Sequence, residues 1–300
     1  MRAGFRLAGV EIELRVPEGA IEQIIARRWS SFLGASEAPV CSLSLRPLTS
    51  ASGKGFSDPI EVERPDVDHV TLRHRHLRAE IDLGGHGEVD VAATPEALDF
   101  VLELVFSLLT PRTGAVLMEA SGVISGGRAH LFVDAAGGPV PAAVERVESR
   151  AVLSAQVVVL YRREGRWWAG STPFGAAGDG WPARAAALDG VWTWTAASQL
   201  AVSPLERLGS LRAVMDNAVR PCRDGDLWAA LFDLAADVAA SVPSASITVP
   251  PDGDAWDEID AVGRALQFRR ALAGLKEPGM RSYAAGLAAP QLSARPPRGR

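Results

Sequence analysis

Cysteine is nearly missing from this 300-residue chain: Cys41 and Cys222 are the only two, far apart, and neither stands in a metal-ligand spacing. That excludes a disulfide framework and a cysteine-built zinc site, and leaves two reduced structural thiols. Long apolar runs are missing too. The N-terminal stretch "MRAGFRLAGVEIELRV" interrupts its apolar residues with charge every few positions, as neither a secretory segment nor a membrane span does. A cytoplasmic location is therefore expected. There is no block of like charge: the net charge is −5 with Lys and Arg scattered, so no field gathers nucleic acid or an anionic membrane surface. The short basic clusters "ARRWSS", "RHRHLR" and "YRREGR" read as solvated strand or loop faces.

What is present is a 47% hydrophobic content, enough for one large domain or two small ones with real cores. Residues 4 to about 93 follow the two-residue rhythm of strands in "FRLAGVEIELRV", "CSLSLRPL", "HVTLRHRHLRAEIDL" and "GEVDVAA", which predicts an N-terminal antiparallel β-meander over 1–93. Thr94 before Pro95 is a helix start, and Leu98, Val101, Leu102, Val105, Phe106 and Leu109 recur at helical spacing up to Pro111. A second region, 94–262, continues with strands "GAVLMEASGVIS" and "RAHLFVD" turned at Gly126-Gly127, and with "AVLSAQVVVLY" paired to "RWWAGSTPF" across Glu164-Gly165. Further on, "VWTWTA" and "SITVPP" read as strands, and "PLERLGSLRAVMDNAV" and "DLWAALFDLAADVAASV" as helices. Residues 263–300 lose periodicity, which predicts a largely mobile C-terminal extension. The class expected is α+β, a mixed α/β chain with a mixed central sheet.

The stretch "GRAHLFVDAAGGPVPAAVERVES" has the form of a strand, a Gly-rich loop and a helix start at Pro141, where a phosphate loop would lie, yet the loop holds no lysine, serine or threonine. A Walker A loop is G-x-x-x-x-G-K-[ST]: backbone N–H groups cradle the phosphates, the lysine neutralises them and the hydroxyl holds Mg²⁺. Laid on residues 134–141, that frame puts Asp134 at the first glycine, Pro139 at the second, Val140 at the lysine and Pro141 at the hydroxyl. Both prolines delete donors, and Asp134 adds a negative charge. Gly137 and Gly138 remain to let the chain turn, so the loop by itself reads as ordinary punctuation.

The framing sequence says more. The order "GAVLMEASGVISGGRAHLFV", loop, helix, "VLSAQVVVLYRREGRWWAGSTPF", with "ASITVPPDGDAWDEIDAV" near the end, resembles the HPr kinase-like family of bacterial proteins, relatives of the phosphoenolpyruvate carboxykinase-type nucleotide-binding fold. The resemblance runs from about Phe5 to about Val262 and implies an HPr kinase-like core behind the meander. Carried over residue by residue, the family's histidine before Ala-Ser-Gly is Glu119 here, and its paired acidic residues are Ala155 and Gln156. Gly122, Ser154, Thr172 and Pro173 match. Neither Ala155 nor Gln156 binds Mg²⁺ as a carboxylate or accepts a proton as a base, so the expected vestigial pocket of Glu119, Ala155, Gln156 and Thr172 holds no catalytic residue, no metal ligand and no cofactor. The function so implied is that of a pseudoenzyme with a binding or scaffolding role toward a protein or peptide partner, near peptide-maturation machinery, a homo-oligomer being one form of it. The alternative is a kinase-like enzyme that binds a nucleotide or phosphometabolite through substitute residues such as Glu119, Asp134 or Asp179.

Other constellations have plainer readings. His74 and His76 lack a third ligand at convincing spacing, and His69, His86 and His130 are scattered, so the pair reads as an exposed polar strand. "GSTPFG" is no G-x-S-x-G elbow and no histidine follows it, which excludes a hydrolase triad in the usual order. Trp167, Trp168, Trp192 and Trp194 read as half-buried packing, with one member of each pair facing outward. "PPDGDAWDEID" lacks the glycine and glutamate spacing of a calcium loop and reads as a helix cap region.

Overall fold

A computed structural model gives the fold, described for residues 1–48, 60–134, 151–174, 180, 182–249, 256, 259 and 261–266. It is α+β with two mixed sheets. The first is built from β1 (Arg2–Leu7), β2 (Val10–Arg15), β3 (Leu33–Gly34), β4 (Cys41–Pro47), β5 (Glu61–Glu63), β6 (His69–His74), β7 (Leu77–Asp82) and β8 (His86–Val91), in the order β3-β1-β2-β4-β8-β7-β6-β5. Strand alternation turns Leu43, Leu45, Leu72, Ala79, Ile81, Val89 and Val91 inward, while Arg46 reaches Glu88 and Asp90 on the outer side.

The antiparallel meander expected over 1–93 needs correction. Strands β5 to β8 do form one, but β4 pairs parallel with both β2 and β8. For β2 and β4 the cause is α1 (Ala20–Arg28), which lies in their connection and carries the chain back, as a parallel pair requires. Its Ile21, Ile25 and the following Trp29 are buried at helical spacing, a stripe hidden between two strand-like runs. The cluster "ARRWSS" is not simply a solvated face either. Arg28 is buried and its guanidinium donates to both oxygens of Asp99.

The helix α2 (Pro95–Leu109) has the bounds its sequence predicted, capped by Thr94, whose Oγ1 accepts from the Ala97 N–H at 3.3 Å. Leu98, Val101, Leu102, Val105 and Phe106 are buried, and so are Ala97, Leu104 and Leu108, so the helix is covered on more than one side. Asp99 adds a charge to that burial; its carboxyl is pushed up by desolvation, against the pull of Arg28 and a hydrogen bond from Trp29 Nε1 at 3.2 Å.

The second sheet holds nine strands. They are β9 (Ala115–Glu119), β10 (Ser121–Ser125), β11 (Arg128–Asp134), β12 (Ala151–Ser154), β13 (Val157–Arg163), β14 (Arg166–Ser171), β15 (Ala185–Ala196), β16 (Ala201–Pro204) and β17 (Ser244–Val249). The path runs β12-β10-β11-β15-β14-β13-β9, with β17 beside the second half of β15 and β16 beside β17. The turns at Gly126-Gly127 and Glu164-Gly165 stand where the sequence put them; both residues of the second have positive φ (53° and 75°), as a two-residue hairpin demands. The stretch "GAVLMEASGVIS" is two strands rather than one. It breaks at Ala120, so that β9 pairs with β13 while β10 pairs with β11 and β12. Two helices, α3 (Arg207–Asn217) and α4 (Gly225–Ser241), match their periodic runs.

One apolar cluster runs through both sheets and α2. Phe5 of β1 lies 5.3 Å from Phe106 of α2 and 6.4 Å from Phe174 beyond β14, and Phe106 lies 6.3 Å from Phe174 (ring centroids). A smaller cluster on the other face of the second sheet collects Phe132, Trp192, Trp194 and Ile247 under Trp256 and Ile259. Trp192 and Trp194 are thus both buried, contrary to the expectation that one of them faces outward. They lie two residues apart on a strand, hence on one face, and that face is covered. Trp167 and Trp168 do divide as expected, one buried and one partly exposed. The C-terminal extension is helical at 261–266, with Leu266 against the smaller cluster; its remainder, 267–300, lies outside the described residues.

Phe106 binds the two sheets through the helix. Truncating it (Phe106→Ala) is expected to cost about 3–5 kcal/mol in urea or guanidinium unfolding, as for other buried aromatics; a change of a few tenths would show the cluster to be dispensable.

Candidate functional site

The residues that frame the predicted vestigial pocket meet at one corner. Strands β12 and β10 stand at one end of the nine-stranded path and β13 and β9 at the other, and the chain passes between the two ends twice, at 119–121 and at 154–157. Main-chain and hydroxyl groups tie the crossings together. The Ala120 N–H donates to the Gln156 carbonyl at 2.8 Å, and Ser121 Oγ donates to the Ala155 carbonyl at 2.8 Å. Ser154 Oγ accepts from the N–H groups of Gln156 and Val157 at 3.3 and 3.2 Å, forming a side-chain turn. Thr172 Oγ1 donates to the Val157 carbonyl at 2.6 Å, from a fully buried side chain.

Close packing explains the glycine of "ASG". A Cβ on Gly122 would stand 2.9 Å from Val158 Cγ1 of β13 and 3.0 Å from Leu153 Cβ of β12, where the two ends of the sheet approach. The "STPF" segment is likewise absorbed by structure. Ser171 Oγ accepts from the Arg184 N–H at 2.8 Å, and Phe174 enters the aromatic cluster with Phe5. These signals in the sequence therefore mark a joint, and each hydroxyl at it is committed to the main chain.

Strand β11 lies parallel to β15, and its Phe132 pairs with Ser121, so its C-terminal end emerges at this corner. That is the edge at which open α/β sheets hold ligands. The loop residues Gly137, Gly138, Pro139, Val140 and Pro141 lie outside the described residues, as does Asp179, and of Asp134 only the backbone, at the end of β11, is described.

Glu119 leaves the corner for a different neighbour. It lines a cleft of about 360 Å³ with Glu103 of α2, between β5, the end of β9 and the chain at 219–221, which pairs with β9 through the Val219 N–H to Leu117 carbonyl bond of 2.9 Å. The Glu103 carboxyl is pushed up to about 7 by burial first, then by the charges of Glu119 and Asp99. Glu103 was not among the residues that the sequence singled out.

The histidine pair is not an exposed strand. His76 sits in the β6–β7 turn, buried, its N–H donating to His74 Nδ1 at 3.1 Å, with the rings 5.3 Å apart. Among the described residues no group of three or more His, Cys, Asp or Glu gathers as a metal site. Both thiols are free, and burial pushes Cys41 up to about 12 and Cys222 upward. A protonated thiol is a poor nucleophile, in keeping with a structural role.

No protein-family model matches this chain, and no curated protein matches it in sequence.

Two outcomes follow from this geometry. Gly122→Ala should destabilise by about 1–3 kcal/mol through overpacking against Val158 and Leu153, measured by chemical unfolding; a neutral change would mean that the two ends of the sheet part freely. Folded Glu103 holds its proton to higher pH than the ordinary glutamate value of 4.5, so the folded chain binds more protons than the unfolded one between about 4.5 and about 7. Stability must fall as pH rises through that window. Glu103→Gln should therefore match wild type below it and exceed wild type by on the order of 1–3 kcal/mol at pH 8. Equal melting profiles at both ends would refute the assignment.

Proposed function

We propose that the chain is a catalytically silent relative of the HPr kinase-like group that acts by binding a protein or peptide partner. The observation that carries this reading is the use made of the corner. Ser121, Ser154 and Thr172 spend their hydroxyls on the main chain, and Ala155 and Gln156 spend their carbonyls on Ser121 and Ala120. The two positions that the resembled enzymes fill with acids thus offer no carboxylate, and the hydroxyls around them have prior partners. Phosphoryl transfer depends on positioning and charge neutralisation, and this donor set supplies neither a metal ligand nor a base. The frame at the end of β11 persists because it joins the two ends of the sheet. A fold can keep its architecture after its chemistry is lost.

The alternative, a nucleotide or phosphometabolite site with substitute residues, draws support from one observation: Glu119 shares its cleft with a second carboxylate whose proton affinity is raised to the neutral range, as in acid–base sites. Two carboxylates, however, repel a phosphate.

Calorimetric titration with ATP and Mg²⁺ tests the reading. Wild type should bind no tighter than about 100 µM, roughly −5.5 kcal/mol, and Val140→Lys alone should not rescue binding. The fourfold change Asp134→Gly, Pro139→Gly, Val140→Lys and Pro141→Ser should recover phosphate affinity without hydrolysis. Tight wild-type binding would overturn the silent reading. No binding by the rebuilt loop would count against the family assignment.

A further inference from the structure

The cleft at Glu103 carries an inference independent of that reading. Its walls are apolar, formed by Ile60, Val62, Leu104 and Val219, and the two groups of like charge that line it are Glu103 and Glu119. Neither carboxylate has a hydrogen bond or ion pair among the described residues. Among the described residues Arg220 is the one cation on the wall; its guanidinium carbon lies 4.7 Å from the Trp228 ring centroid and it forms no ion pair with either. Glu103 is half-buried while Glu119 is exposed at the rim, so desolvation falls on Glu103 and the repulsion between like charges adds to it. Locally costly arrangements of this kind persist where a ligand relieves them.

A ligand that brings positive charge relieves this. Mg²⁺ held by two carboxylates completes its octahedron with water and gains nothing from aliphatic walls. A cation at the end of an apolar stem fits both parts of the cleft, since such side chains bury the stem and present the charged head. We infer that the Glu103–Glu119 cleft receives a basic side chain of a peptide, the aliphatic stem lying between Ile60, Val62 and Val219 and the ammonium or guanidinium group meeting the two carboxylates. The size suits this: about 360 Å³ lies in the range of ligand pockets.

The charges that face Glu103 are Glu119 across the cleft, Asp99 one turn away on α2, which is paired with Arg28, and Arg220 on the wall. Glu103 must shed its proton to take a cation, so binding should strengthen between pH 6 and pH 8.

The test is an NMR titration of the full chain with Nα-acetyl-lysine methylamide, following the backbone amides of Leu104, Glu119 and Val219. Saturable shifts with a Kd tighter than about 10 mM at pH 8, weaker at pH 6, are expected. Nα-acetyl-norleucine methylamide, which keeps the stem and lacks the charge, should leave the spectrum unchanged. Glu103→Gln should weaken lysine binding at least about tenfold while keeping a dispersed spectrum. The inference is overturned if the lysine probe produces no saturable shift, if the norleucine probe binds equally, if MgCl₂ saturates the same amides, or if pentylammonium binds where the blocked lysine does not.

Discussion

The contact of Phe5, Phe106 and Phe174 governs how the two sheets meet, and the rest of the structure depends on it. Each ring comes from a different element: the first strand, the α2 helix and the segment after β14. Most of α2 is buried, only the stripe of Glu96, Phe100 and Glu103 reaching solvent, so packing on its other sides keeps one sheet from sliding against the other. The Arg28–Asp99 pair pins the same helix to α1. Such a pair adds little net stability over an apolar alternative, yet losing one partner strands a buried charge, so it favours one arrangement over its neighbours.

From that packing follows the division between the corner and the cleft. At the corner the hydroxyls of Ser121, Ser154 and Thr172 all have main-chain partners, and the glycine and threonine that resemble a kinase frame serve to close the two ends of the sheet. At the cleft the order is reversed: apolar walls flank the half-buried Glu103 and the exposed Glu119, neither of which has a donor among the described residues. The saturated region has the character of scaffold, and the unsatisfied one that of a place kept for something else, at a cost in stability that a glutamine would remove.

Where periodicity was continuous and its caps were local, the sequence was a sound guide. Thr94-Pro95 fixed the start of α2, Gly126-Gly127 and Glu164-Gly165 fixed two hairpins, and α3 and α4 lie on their apolar repeats. Errors came where tertiary neighbours decided. The stripe Ile21, Ile25 and Trp29 was hidden between strands, and missing it turned a mixed sheet into a meander. Trp192 and Trp194 stand two residues apart and share one strand face, so opposite environments conflict with strand alternation itself, and Trp256 and Ile259 cover that face. Glu103 left a signal that went unused: Asp99 and Glu103 stand four residues apart on an otherwise apolar helix, so like charges share one face where leucine would serve better. The resemblance itself was carried by residues whose work is packing, and packing residues speak for a fold more readily than for a reaction.

The central claim is that the corner is a closed joint and not a nucleotide site, and amide hydrogen exchange at Ala120, Gln156 and Val157 tests it most directly. Their N–H groups donate to Gln156, Ser154 and Ser154 in turn. The account predicts slow exchange at all three, unchanged by millimolar ATP and Mg²⁺. Fast exchange in the free protein, or protection that grows when nucleotide is added, would contradict it.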